Sequence, residues 1–274
     1  MDEAMGTTGL SDFGDPHFRA AMDCLIESAE ADSDLHFVGR MILHRLTVRF
    51  LQNRLLLTRE RKDRPHLFQT SLVPPIVVLG LPRTGTTFLH RMLSLDPVHR
   101  GIPYWELMRP ISSGPPDNRR ALALREGKVL AGLIPGVDRI HYSRPDSYEE
   151  CIVMMSTTFV SDFFWVCLPL YGYRDWMRTH DKRTAYEEYR ALLERLQSES
   201  PSRRLTLKAP GHTAEIGHLT EVFPEALVIQ THRNPVPVVN SLNSLIAEYH
   251  NMGTRRHDRP RLAEANLEWC ERSI

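Results

Sequence analysis

Residues 75–80 read P-I-V-V-L-G, a short unbroken β-branched run closed by glycine, and apolar residues at helical spacing resume over 86–95. A run without polar alternation is the pattern of a strand buried on both faces, as in a central parallel sheet. Two more short runs follow, Arg204–Lys208 (R-L-T-L-K) and Ala226–Thr231 (A-L-V-I-Q-T). Each precedes a predicted helix, 212–223 and 235–249. Strands alternating with helices predict an α/β fold, a three-layer parallel sheet. Ligands of such sheets bind beyond the carboxyl ends of the strands, so residues 80–87, 208–212 and 231–241 are the places to look for chemistry.

The rest of the chain frames this sheet. Residues 16–62 carry helical periodicity and predict an N-terminal helical segment, 1–70, packed on a main domain, 71–274. Residues 110–147 are rich in Pro, Gly, Ser and Arg and read as an irregular insertion with one helix, 118–133. Long helices are predicted over 148–168 and 183–197. The most apolar stretch, Cys151–Leu170, holds Asp162 near its middle, which argues for a buried helix rather than a membrane span. The start, M-D-E-A-M-G, has neither a basic nor an apolar leader region. The four cysteines form no C-x-x-C pair, which suits reduced thiols and a cytoplasmic protein.

Residues 80–87, G-L-P-R-T-G-T-T, join the first strand to its helix. Successive backbone N–H groups and the positive end of a helix dipole make this an anion site of the P-loop nucleotide-binding type. Thr86 stands where a Walker A loop has its lysine. A nucleoside-triphosphate enzyme needs that lysine and a Mg²⁺ ligand beside it. Here the cation is Arg83, inside the loop, so the expected ligand is a terminal anion without a triphosphate chain. The formal net charge is zero, so the anion site is local and nucleic acid is not an expected partner.

In this loop the chain resembles the sulfotransferase superfamily, whose 5′-phosphosulfate loop reads P-R-[ST]-G-[ST]-[ST]. A second element of that family is a strand-end Arg with a Ser eight residues later in the next helix. Arg233 and Ser241, in T-H-R-N-P-V-P-V-V-N-S-L, supply both. A strand ending in Lys-x-Pro is the third, and Lys208-Ala209-Pro210 fits it. Order and surroundings resemble the bacterial-type and tyrosylprotein-type branch over roughly residues 75–250. The resemblance implies a co-substrate, 3′-phosphoadenosine-5′-phosphosulfate, bound by Arg83, Thr84, Gly85, Thr86, Thr87, Arg233 and Ser241.

It also implies the chemistry. Sulfuryl transfer, like phosphoryl transfer, rests on positioning and electrostatics. Lys208 is the expected cation on the bridging oxygen. The general base is expected to be Glu106, by similarity to the tyrosylprotein branch, followed by His212, then Glu149 or Glu150. Aromatic residues Tyr104, Trp105, Phe163, Phe164, Trp165, Tyr171 and Tyr173 are candidates for an acceptor pocket, although helical spacing also suits core. No H-x-x-x-H or H-E-x-x-H pattern occurs, so no metal is expected. The expected partner is a small-molecule or glycan acceptor with a hydroxyl or amine, and a homo-oligomer is compatible. Relatives usually continue past the second phosphate helix, so the chain reads as short at its C-terminus. The competing readings are a P-loop kinase or nucleotide-binding protein, and a non-catalytic nucleotide-binding relative.

Overall fold

A computed structural model of the chain describes residues 1–133, 144–256 and 258–274. The three expected runs form strands β1 (Ile76–Leu79), β3 (Arg204–Lys208) and β4 (Leu227–Gln230). A fourth, β2 (His99–Gly101), joins them in an all-parallel sheet of order β2-β3-β1-β4. The segment H-R-G has no apolar pattern. It is a strand because β3 offers it an edge: Arg204 N–H donates to Val98 O at 2.9 Å, and Gly101 registers with Thr206. All four residues of β1 are buried, whereas Leu227 and Gln230 of β4 are exposed at the sheet edge. The continuous apolar pattern of β1 follows from that central place.

Six helices lie ahead of or beside the sheet before residue 134: α1 (Asp2–Thr8), α2 (Phe18–Ala31), α3 (Phe37–Asp63), α4 (Thr86–Leu93), α5 (Tyr104–Met108) and α6 (Arg119–Leu133). Within the irregular stretch expected over 110–147, residues 134–143 lie outside the described residues. Beyond them come α7 (Ile152–Met155), α8 (Asp162–Cys167), α9 (Tyr171–Thr179), α10 (Arg183–Ser198), α11 (Ile216–Val222), α12 (Pro235–Asn251) and α13 (Arg259–Arg272). Phe18 and Leu25 of α2 and Phe50 and Leu55 of α3 share one buried cluster with Val77, Leu205 and Leu207 of the sheet. Among the described residues no helix is long and apolar enough to cross a membrane.

The single helix expected over 148–168 is corrected. Residues 148–151 form a non-helical strap, and α7 and α8 are separate, with a short 3-10 turn at Ser156–Thr158 between them. The polar residues of this stretch divert the backbone, as hydroxyls do when they compete with the helical ladder. Thr158 Oγ1 donates to Met155 O (2.8 Å), and Phe159 turns left-handed at φ 62°. Tyr173 OH donates to Phe159 O (2.7 Å), and Ser161 Oγ caps α8 by accepting from Phe163 N–H. The helix expected over 212–223 is likewise split into a 3-10 turn, Pro210–His212, and α11.

Helix α3 is tied to α10 by two buried ion pairs. Arg54 Nη1 donates to Glu188 Oε2 at 2.7 Å, and its Nη2 to Asp15 O at 3.0 Å. Arg195 Nε donates to Glu60 Oε2 at 2.9 Å. Removing one partner of a buried pair leaves the other charge desolvated, whereas replacing both with apolar residues is often neutral. Arg54→Ala should therefore destabilise the chain by about 3–5 kcal/mol, and Arg54→Met with Glu188→Leu by much less. Urea denaturation of the two variants checks this ordering.

Candidate functional site

The chain leaves β1 through Gly80, whose φ is 130° and whose Cβ, if it had one, would lie 2.4 Å from Thr231 O. Only glycine fits both demands. Gly80 N–H donates to Thr213 Oγ1 at 2.9 Å, so the segment after β3 also fixes this turn. Arg83 is left-handed, φ 67°, and Gly85 caps α4 at φ 98°. A non-glycine residue held in that region stores strain, and such strain collects at binding loops. The first helical acceptor bond beyond the loop is Leu89 N–H to Gly85 O. The N–H groups of Thr86, Thr87 and Phe88 precede it and form the open end of the helix. A Cβ on Gly85 would meet nothing within 4 Å, so the mouth of the loop is free space. This is the geometry of an anion cradle.

The end of β4 lies against the same loop. Thr84 Oγ1 shares a hydrogen bond with Thr231 Oγ1 at 2.6 Å. Arg233 Nη1 donates to Arg83 O at 3.1 Å, and Arg83 Nε donates to Ser241 Oγ at 3.0 Å. Asn234 Oδ1 caps α12 by accepting from Val236 N–H. Residues about 150 positions apart thus meet, with Arg83 and Arg233 both exposed.

Lys208 closes the cluster from the end of β3. It has no solvent exposure, and Nζ donates to Glu150 Oε1 at 2.7 Å and to Thr87 Oγ1 at 3.2 Å. Thr87 is in the first turn of α4, so the ammonium stands beside the cradle. Cys151 N–H donates to Lys208 O at 2.9 Å, which fixes the strap against the strand end.

The other expected catalytic residues sit elsewhere. Glu106 is buried on α5, and its carboxylate accepts from Arg100 Nη2 at 2.8 Å. Burial pushes its pKa up, and the charges acting on it are Arg100, Glu199 and Arg119. None of these belongs to the cradle. His212 is buried against α10, with Nδ1 2.7 Å from Tyr186 OH. It lines a small cavity with Asp162, Lys182, Tyr186 and Glu215. Among the candidate pocket aromatics, Phe164 and Tyr173 are fully packed in the core with Phe50 and Phe159. Thr231, just after β4, and Thr213, just after the 3-10 turn that follows β3, pin the turn at Gly80 and the loop, and neither carried a motif of its own. Among the described residues no cluster of three His, Cys, Asp or Glu has a metal-holding arrangement.

Comparison with known proteins adds a further set of findings. Residues 74–273 match the model of the Sulfotransferase family. Two curated relatives, the omega-hydroxy-beta-dihydromenaquinone-9 sulfotransferases of Mycobacterium bovis and Mycobacterium tuberculosis, are each 28% identical over 180 residues, 61% of this chain. The aligned region is 44% of each relative, so the match spans less than half of their length. The crystal structure of a sulfotransferase from Mycobacterium tuberculosis superposes with a TM-score of 0.86 at 26% identity, over 99% of this chain and 76% of that one. One from Mycobacterium avium gives 0.87 at 25% identity, over 100% and 72%.

Two histidines that pack around β3 give a pH signature. Burial lowers the pKa of His90 and of His212 to about 4. In the unfolded chain each titrates near the ordinary value of about 6.5. Between those values the unfolded state binds more protons, so this stability is complete above pH 6.5 and declines as pH falls toward 4. Each histidine should contribute a loss of roughly 2 kcal/mol between pH 7.5 and pH 5. Urea midpoints of the wild type and of His212→Gln at the two pH values check it, the variant showing the shallower dependence.

Proposed function

The chain belongs to the sulfotransferase family, and from that premise we propose that it transfers a sulfuryl group from 3′-phosphoadenosine-5′-phosphosulfate to a hydroxyl or amine of a small or lipid-like acceptor. The observation that carries this reading is the meeting of Arg83, Arg233 and Ser241 at an open cradle whose helix also reaches Lys208. A ligand with anionic groups at both ends of a ribose suits these residues. The cradle N–H groups and Arg83 take the 5′ end. Arg233, with its planar fork, and Ser241 take the 3′-phosphate. The curated relatives, named for a hydroxylated menaquinone, support an apolar acceptor that presents an alcohol. Four free cysteines suit a reducing, cytoplasmic setting.

The donor supplies an activated sulfur and a phosphate leaving group. Negative charge grows on the bridging oxygen as the bond breaks, and preorganised donors aimed at such charge lower the barrier. Lys208 and Thr87 are those donors here, joined to each other before any ligand arrives. Glu150, at 2.7 Å from Lys208, accepts the acceptor proton in this reading. Glu106 led on sequence position, but its partner Arg100 lies outside the cradle, whereas Glu150 is held by Lys208, which also reaches Thr87 of the cradle helix, and this favours Glu150 as the base.

Two measurements test the reading. In calorimetric titration, 3′,5′-adenosine bisphosphate should bind and ATP with Mg²⁺ should not compete. Arg83→Ala and Arg233→Ala should each weaken the bisphosphate by about 1.5–3 kcal/mol. Unchanged affinity in both variants, or preference for ATP with Mg²⁺, would move the chain to a nucleotide kinase or to another ligand class.

With radiolabelled donor and a panel of alcohols and amines, Lys208→Ala should keep bisphosphate affinity within about threefold and lose on the order of 10²-fold in kcat. Glu150→Gln should lose roughly 10²–10⁴-fold, the scale of a general base. Full turnover of Glu150→Gln with loss in Glu106→Gln would return the base to α5, and loss in His212→Ala alone would assign it to His212.

A further inference from the structure

The strap 148–151 crosses the carboxyl ends of β2 and β3, and each of its four residues is tied to a neighbouring element. Tyr148 forms an isolated antiparallel bridge with Pro103. Its ring packs over Gly101, where a Cβ would come within 2.7 Å of it. Glu149, 5% exposed, accepts from Arg91 Nη2 at 3.0 Å. Glu150 holds Lys208, and Cys151 hydrogen-bonds to the Lys208 backbone through both its N–H and its Sγ. The two adjacent carboxylates serve two different cations, one on a helix and one on a strand.

Arg91 lies on α4, one turn beyond Thr87. The inner side of α4 is joined to β3 by His90 Nε2, which donates to Thr206 O at 3.0 Å, and by the Ser94–Thr206 hydroxyl pair at 2.7 Å. The Arg91–Glu149 pair is a second tie, outside the first, and it runs through the strap. Arg91 is partly exposed, so its head group can be changed without opening the core. Glu149 is not exposed, and a buried carboxylate is destabilised by the loss of a guanidinium that holds it.

We propose that Arg91 is a positioning residue: by holding Glu149 it fixes the strap, and the strap keeps Glu150 on Lys208 and Lys208 on Thr87. The consequence for turnover rests on the reading of Lys208 as the cation of sulfuryl transfer, whereas the tie itself does not.

The chain has four lysines, Lys62, Lys128, Lys182 and Lys208, which makes an acetylation footprint with acetic anhydride, read by peptide mass mapping, a direct probe. Lys62 is exposed and labels freely, while Lys182 is buried in its own ion pair with Glu215 and serves as the internal control. Arg91→Ala should raise the labelling rate of Lys208 on the order of tenfold by favouring local opening of the strap, with Lys182 unchanged. Arg91→Lys, which restores a cation, should return Lys208 to the protected state at label levels that leave position 91 itself unmodified. Glu149→Gln should reproduce the Arg91→Ala footprint and add nothing to it in the double variant. Lys208 protection equal to wild type in Arg91→Ala would overturn the proposal, and so would Lys182 rising in parallel, which would mark general loosening. A raised Lys208 footprint with undiminished donor turnover and bisphosphate affinity would leave the tie standing and overturn the catalytic part for Lys208.

Discussion

An ammonium carried without exposure to the end of a parallel strand has to be met by opposite charge and by hydrogen-bond acceptors, because burying an unpaired charge is costly. Lys208 is met by Glu150 and by the hydroxyl of Thr87. Much of the surrounding architecture follows from those two contacts. Thr87 is within reach because α4 lies across β3, held by His90 and Ser94 on Thr206. Glu150 is within reach because the chain after residue 147 runs as a strap and not as a helix. The strap in turn uses β2, a strand that exists only because β3 presents an edge to it.

The sheet was largely legible because burial on both faces leaves an unbroken apolar run, and β1, β3 and β4 each carry one. The cradle was legible for a different reason: the turn at Gly80 and the cap at Gly85 demand glycine at fixed distances from a strand end and a helix start. What stayed hidden is what depends on distant partners. β2 has no pattern of its own. The break between α7 and α8 comes from hydroxyls that bind the backbone locally and from Tyr173, donated by a later helix. Glu106 stood out by its place after the cradle helix, yet Arg100, six residues earlier, takes its carboxylate. Glu150, 44 residues beyond Glu106 and only a third candidate on sequence, is brought to Lys208 by topology.

A chain with zero formal net charge still concentrates cationic groups where an anion would enter. Arg83 and Arg233 are exposed at the mouth, and Lys208 lies behind them in the interior. Two exposed, hydrogen-bonded guanidiniums and one desolvated ammonium differ by physics alone. Water screens the field of the first, which in the proposed reading suits them to capture and orient an anion. The field of the second is felt at short range in a low-dielectric setting, which in that reading suits it to a developing charge.

The cradle after β1 and the turn after β4 touch at four points: Thr84 with Thr231, Gly80 with Thr231, Arg233 with the Arg83 carbonyl, and Arg83 with Ser241. They are one rigid piece of surface made from two stretches of chain. Substitutions that re-shape one stretch displace the other, so their effects on the two ends of a ligand cannot add independently. A designer seeking to re-shape this surface would have to change both stretches together. That coupling makes the cradle and the β4 turn hard to alter one residue at a time and leaves easier change to the loops around them.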